Sequence, residues 1–244
     1  MKMKPMLAYI ATKKPITKEE WKDGVYIQPK LDGVRCLIQY DNSKVTAYSR
    51  TGKEWKNIDH ILGVLKPFFM KYPDIILDGE LYNHSLKNDF EKIISLVRKT
   101  KPTDEHRLES KEKVQFHCYD VIVPKNLKNG GSFPCEVSDD NFTTRNAFIK
   151  GNLGPHRFPQ SIKTLSYHRV YNEEDAKKIH HINLAQGFEG SILRKDLPYE
   201  CKRSYSLQKY KDFYDAEANI IDFVEGKGKR QGTLGKFIMR DIDG

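Results

Sequence analysis

Lys30 stands in the run Pro29-Lys30-Leu31-Asp32-Gly33-Val34-Arg35, where an amine, a carboxylate and a guanidinium lie close together in the chain. Tyr26-Ile27-Gln28 ahead of it reads as a strand, so Lys30 leaves a strand end just before an Asp-Gly turn. An amine attacks only when neutral, and nearby cations and desolvation both lower a lysine pKa. Arg35 supplies one such cation locally. Alone, the tetrapeptide fits a surface lysine beside a tight turn just as well, and the residues downstream decide.

Four further stretches bear chemistry: Leu77-Asp78-Gly79-Glu80, Phe116-His117-Cys118-Tyr119-Asp120, Phe188-Glu189-Gly190 and Leu207-Gln208-Lys209-Tyr210-Lys211. With Lys30 to Arg35, their order and spacing resemble the nucleotidyltransferase motifs of ATP-dependent DNA ligases. That superfamily includes RNA ligases and mRNA capping enzymes. Pro5-Met6-Leu7-Ala8 resembles the entry segment of these ligases. Lys209 to Ala218 resembles their last adenylation motif and its exit into an OB domain. The resemblance covers about residues 5–240 and is closest to the small phage and bacterial type.

The resemblance implies a role for each matching residue. Lys30 would attack the α-phosphate of ATP, carry AMP as a phosphoramide and release pyrophosphate. Arg35, Lys209 and Lys211 would hold phosphates and crowd Lys30. Glu80 would accept a hydrogen bond from the ribose hydroxyl, and Tyr119 would stack on adenine, with Phe116 the competing stacker. Gln28 lies where the family reads the adenine amino group. Glu189, with Glu80, would place Mg²⁺ or Mn²⁺; Mg²⁺ uses few protein oxygens beside phosphate oxygens, so isolated glutamates suffice. Arg50 matches an arginine used for the 5′-phosphate of a nick.

The elements that must position these groups read as α+β: antiparallel sheets flanked by helices, with the nucleotide between sheets. Residues 1–25 read as an extended arm and a short helix. Residues 26–50 form a hairpin turning at Asp41-Asn42-Ser43, with Arg35 at one end and Arg50 at the other. Ile58 to Phe69 has helical spacing broken by Pro67. Ile75 to Leu81 is a short buried strand, and 86–98 an amphipathic helix. Residues 100–113 are almost all charged or polar and read as an exposed loop. Val114 to Val123 is a strand, Asn126 to Ser132 a loop, Thr143 to Ile149 a short helix and Ile162 to Val170 a strand. Asn172 caps a helix that Gly187 ends. Gly190 to Arg194 and Tyr205 to Tyr210 are strands. From Glu217 two more strands flank a glycine- and lysine-rich loop. The expected division is an adenylation domain over 1–215 and the start of an OB-fold β-barrel over 216–244.

The chain has 244 residues and a net charge of +9, which favours a polyanionic partner. Lys202 and Arg203 beside Tyr205, and Lys227, Lys229 and Arg230 in the last loop, would neutralise backbone phosphates without reading sequence. Nicked duplex DNA is the expected partner and a monomer the expected state. No apolar run spans a membrane and no secretory signal precedes the first strand, so a cytoplasmic setting is expected (the host cytoplasm if the source is viral). Cys36, Cys118, Cys135 and Cys201 form no CxxC pair and read as reduced thiols.

An OB-fold needs five strands, whereas 28 residues follow Ala216, room for two. The family's final basic motif, which orients pyrophosphate, finds no match, so either a longer chain or a natural variant with slow self-adenylation is expected. The leading expectation is an ATP-dependent DNA ligase acting through lysyl-AMP and a DNA-adenylate. Two alternatives stand beside it. One is an RNA ligase, ahead of a GTP-using capping enzyme. The other is a nick-binding module with weak catalysis.

Overall fold

The computed structural model describes residues 4–87, 89–123, 138–154, 158, 160–211 and 217–241. It divides into two units, Met1–Lys211 and Asp212–Gly244. The first unit runs β1 (Leu7–Ile10), α1 (Lys18–Lys22), β2 (Val25–Lys30), β3 (Val34–Asp41), β4 (Lys44–Tyr48), α2 (Asp59–Lys71), β5 (Ile76–Tyr82) and α3 (Phe90–Val97). It continues α4 (Asp104–Lys113), β6 (Gln115–Ile122), α5 (Phe142–Leu153), β7 (Ile162–Thr164), β8 (His168–Val170), α6 (Glu173–Ala185), β9 (Gly190–Arg194) and β10 (Arg203–Tyr210).

Ten strands make two five-stranded sheets, ordered β1-β10-β9-β2-β8 and β4-β3-β5-β6-β7. The sheets are antiparallel except for one parallel pair at an edge of each, β1 with β10 and β6 with β7. Alternation along the strands sorts side chains into layers. Cys36 and Ile38 of β3, Leu77 and Leu81 of β5 and Phe116 of β6 pack against Ile61, Leu65 and Phe69 of α2, Val97 of α3 and Ile149 of α5. Each such buried side chain contributes roughly 1.5–3 kcal/mol. The opposite faces meet between the sheets, where Leu37, Ile76 and Ile122 touch Met6, Tyr199 and Leu207. Val25, Ile27 and Leu193 pack outward on Trp21 of α1 and Ala176 of α6. The first unit is therefore layered helices, sheet, sheet, helices, and its polar chemistry lies between the sheets.

Three expectations need correction. Residues 100–113 are not a loop, because Asp104–Lys113 is the helix α4. Its signal is in its ends rather than in apolar spacing. Thr103 and His106 form a reciprocal cap, acids fill the first turn, and Lys111 and Lys113 the last. Glu109 pairs with Lys113 at 2.7 Å and with Lys92 at 2.6 Å, and buried Ser110 donates to the Asn57 carbonyl. Second, α2 runs through Pro67; one lost backbone bond is outweighed by burial of Leu65, Phe68 and Phe69. Third, Ile162 to Val170 is two strands: β7 joins β6 in one sheet and β8 joins β2 in the other. A run of strand-forming residues carries no mark of such a change of sheet.

The hairpin closes on Asn42 and Ser43, both at positive φ (49° and 63°). Asn172 caps α6, and Gly187 follows its end at φ 86°. The expected loop at Asn126 to Ser132 and the expected boundary at 215/216 lie outside the described residues. The second unit pairs β11 (Ala218–Glu225) with β12 (Leu234–Asp241) as an antiparallel ribbon. Its connection holds a short 3₁₀ turn, Gly228–Arg230.

Candidate active site

Three neighbouring strand ends of the first sheet carry the reactive cluster. Lys30 ends β2 opposite Gly190 of β9, and Tyr210 of β10 faces Ser191. This register brings Lys30, Glu189 and Lys211 side by side. Glu189 Oε2 takes the Lys30 ammonium and Oε1 takes Lys211, while the Glu189 N–H donates to the Lys30 carbonyl at 3.2 Å. Gly190 makes this corner possible, with φ 146° and the Tyr210 carbonyl oxygen 2.6 Å from where a Cβ would sit. One row inward, Gln28, Ile192 and Lys209 stand in register across β2, β9 and β10.

The facing sheet supplies the second wall. Gly33 presses the β2–β3 connection onto β5; a Cβ there would lie 2.5 Å from the Leu81 oxygen and 2.6 Å from Glu80 Cγ. That approach explains the Asp-Gly after Lys30 and places Glu80 near it. Arg35 of β3 pairs across to Glu80 of β5 in the sheet register. Its guanidinium, however, is engaged by Asp78, at 2.5 Å from Nε and from Nη2, and donates to the Met6 carbonyl at 3.2 Å. Burial would pull the guanidinium down, but Asp78 overrides this and drives it well above its ordinary value. Tyr199 donates to the same Asp78 at 2.7 Å and accepts from the Met6 N–H at 2.8 Å. This network ties the entry segment to both sheets.

A register slip between Asp78 and Gly79 bulges β6 at Tyr119. Tyr119 and Asp120, adjacent in sequence, consequently both face the space between the sheets. Tyr119 donates to Glu80 at 3.1 Å, with Arg35 5.2 Å and Arg194 5.6 Å from its ring centre. Burial pushes Glu80 up to about 7, against the pull of Arg35 and the Tyr119 hydroxyl. Phe116, the competing stacker, is fully buried among the helices on the other face. Asp120 takes Arg145 at 2.7 Å and Arg194 at 2.6 Å. Burial raises its pKa, but the two arginines outweigh burial and hold it below the ordinary range.

Between the walls lies a cleft of about 250 Å³. Gln28, Lys30, Arg35, Arg50, Glu80, Tyr119, Arg203 and Lys209 line it. Glu189 and Lys211 join through the contact with Lys30. Both amide atoms of Gln28, which is 1% exposed, are buried without a hydrogen-bond partner among the described residues. An orphaned amide at a cleft wall fits a hydrogen-bonding ligand such as a base edge. Lys202 is not in the cleft; it is exposed and pairs with Glu200 at 2.8 Å. Lys227, Lys229 and Arg230 belong to the second unit.

Asp78, Tyr199, Arg145 and Arg194 escaped the sequence reading as site residues, and Asp120 was noted without a role. The signal was present for two of them. An acid inside a buried strand requires a cation, and Asp78 and Asp120 each stand in such a strand. The cations themselves came from far along the chain.

A family model described as "ATP dependent DNA ligase domain" matches residues 5–211. A DNA ligase of African swine fever virus is 27% identical over 240 residues, covering 94% of this chain and 52% of the viral protein. A DNA ligase of Halobacterium salinarum is 24% identical over 259 residues, covering 98% of this chain and 42% of the relative. The chain thus spans about half the length of the curated relatives it matches. Among solved structures, the ATP-dependent DNA ligase of bacteriophage T7 in complex with ATP superposes with a TM-score of 0.69 at 19% identity, covering 98% of this chain and 80% of that one. The Chlorella virus DNA ligase-adenylate gives 0.61 at 21%, covering 99% and 82%. These likenesses carry the fold. Among the described residues, no helix is long and apolar enough to cross a membrane.

Proposed function

Because the chain belongs to the ATP-dependent DNA ligase domain family, we propose that it joins nicked duplex DNA through AMP carried on Lys30. The observation that carries the reading is the cleft itself. It sets Lys30 with Glu80, Tyr119, Lys209 and a Gln28 amide that has no partner among the described residues, between the two sheets.

In this reading the Lys30 amine, once released from Glu189 and neutral, attacks the α-phosphorus of ATP. The P–N bond forms as the bond to pyrophosphate breaks, and the nitrogen gives up one of its two protons to solvent, leaving a phosphoramide N–H. A 5′-phosphate oxygen of the nick then displaces Lys30 from phosphorus, and the 3′-hydroxyl displaces AMP. Gln28 meets the adenine edge, Tyr119 its ring face and Glu80 a ribose hydroxyl. Lys209, Lys211 and Arg35 serve the phosphates, and Arg50 and Arg203 the nick. Asp78 fixes Arg35, so that cation acts from a set position and not as a mobile charge.

Glu189, once its two oxygens are released from Lys30 and Lys211, would offer Mg²⁺ or Mn²⁺ a carboxylate beside phosphate oxygens, and Glu80, when ionised, a second. A divalent ion there would offset charge between carboxylate and phosphate. The ribbon of the second unit reads as the opening strands of an OB-fold beginning near residue 216, bearing Lys227, Lys229 and Arg230 toward DNA. A monomer in the cytoplasm suits this reading. Incubation with ATP labelled at the α-phosphate and Mg²⁺, followed by nicked duplex, tests it. Label should pass from ATP to protein and then to free AMP as the nick closes. Absence of label on the protein would overturn it.

A further inference from the structure

From Arg203 at the cleft, the edge of the first sheet continues into a feature whose other members, Tyr9, Tyr205 and Lys14, neither core packing nor the proposed chemistry uses. The β1–β10 register jumps from Ser204 to Gln208 between Ala8 and Tyr9, bulging β10 at Tyr205. Tyr205 stacks on Tyr9 with ring centres 3.9 Å apart and planes 9° from parallel. Arg203 lies 5.6 Å from the Tyr9 ring centre and Lys14 4.4 Å from that of Tyr205. The result is one column: guanidinium, ring, ring, ammonium.

Core burial does not account for the column, since Tyr205 is 40% exposed. Its effect is to hold two long cationic side chains in place on ring faces. Arg203 is further fixed by donating to the Ala8 carbonyl at 2.6 Å. Among the described residues neither Arg203 nor Lys14 has an ion-pair partner. Glu20, the acid near Lys14, is already paired with Lys195, and Glu200 with Lys202. Lys13 acts on Tyr9 as well. Arg203 lines the cleft, so the column starts at the candidate active site and leads away along the sheet edge.

We propose that this β1–β10 edge is a phosphate-backbone contact for the DNA strand leaving the cleft, with Tyr9 and Tyr205 as positioning residues for Arg203 and Lys14. The proposal rests on the DNA-joining reading above. Charge complementarity and continuity with the cleft select the partner: two oriented cations with no base-reading group between them grip a backbone irrespective of sequence. Holding long side chains in place before binding spares the ordering cost that flexible cations would incur.

The test is binding of the 244-residue chain to a fluorescent nicked duplex by anisotropy over a salt series, with thermal melting to confirm folding. Lys14→Ala should weaken binding and reduce the slope of log K against log salt by about one. Tyr205→Ala should weaken binding roughly tenfold with the slope unchanged, because both cations remain but lose their support. Tyr205→Phe, which keeps the ring, should bind within about twofold of wild type. Wild-type affinity and slope in both Lys14→Ala and Tyr205→Ala, from a wild-type chain that loads AMP, would overturn the proposal and leave the functional reading intact. A wild-type chain that loads no AMP would overturn the reading on which it rests.

Discussion

Lys30 and Glu189 are ion-paired through Oε2, and the other oxygen of the same carboxylate holds Lys211. A paired ammonium has no lone pair to offer. In the proposed reaction, loading of AMP would therefore require Glu189 to turn to another cation, with a divalent ion as the natural competitor. Glu189→Ala is expected to slow AMP loading roughly 100-fold, with partial recovery on raising Mg²⁺ or Mn²⁺. Single-turnover loading across a metal titration measures this, and an unchanged rate at limiting metal would assign Glu189 to structure alone.

Gln28 lies in β2 with both amide atoms buried and without hydrogen-bond partners among the described residues. Such orphans cost about 1–3 kcal/mol until a ligand satisfies them. Gln28→Met should therefore raise the melting temperature by a few degrees while raising the ATP concentration for half-maximal loading roughly tenfold. Melting and loading curves of one preparation check both. A lower melting temperature would mean that the amide is satisfied within the fold.

Glu80 gives a pH test. Burial lifts its folded value to about 7 from 4.5. The folded state therefore holds the proton more tightly than the unfolded chain. The resulting stability is complete below about pH 4.5 and lost as pH rises through 7, up to roughly 3 kcal/mol. Glu80→Gln removes that titration. Denaturant unfolding at pH 5 and pH 8 should show the wild type losing stability relative to the variant over that interval. Parallel profiles would contradict the raised carboxyl.

Asp120 is a buried carboxylate shared by Arg145 and Arg194, joining β6 to α5 and β9. Asp120→Asn keeps the shape but leaves two guanidiniums with no charged partner there. A destabilisation of about 3 kcal/mol or more is expected, read as a drop in the denaturant midpoint. A stability equal to wild type would mean that water or other acceptors already carry these arginines.

Legibility in the sequence followed the physics of each part. Lys30, Glu80, Glu189 and Lys209 were legible through the ordered set of short motifs that resembles the ligase family, and the folded sheets bring these four side chains to one cleft and its edge. The amphipathic helices were visible from apolar spacing. Helix α4 was not, because its stability comes from caps at Thr103 and from ion pairs rather than an apolar stripe. The change of sheet between β7 and β8 was hidden because both pieces are short and strand-like. The Tyr119–Asp120 bulge was hidden because alternation would send the two side chains to opposite faces. Asp78 with Arg35, and Asp120 with Arg194, are contacts between distant segments, and only the folded sheets bring them together.

The central claim is that Lys30 is the nucleophile, and locating the bound AMP tests it most directly. The chain would be incubated with labelled ATP and Mg²⁺ and digested, and the modified peptide sequenced by mass spectrometry. The prediction is a single adduct on Lys30, absent from a folded Lys30→Ala variant that melts like wild type. An adduct on another residue, or label retained by Lys30→Ala, would contradict the account.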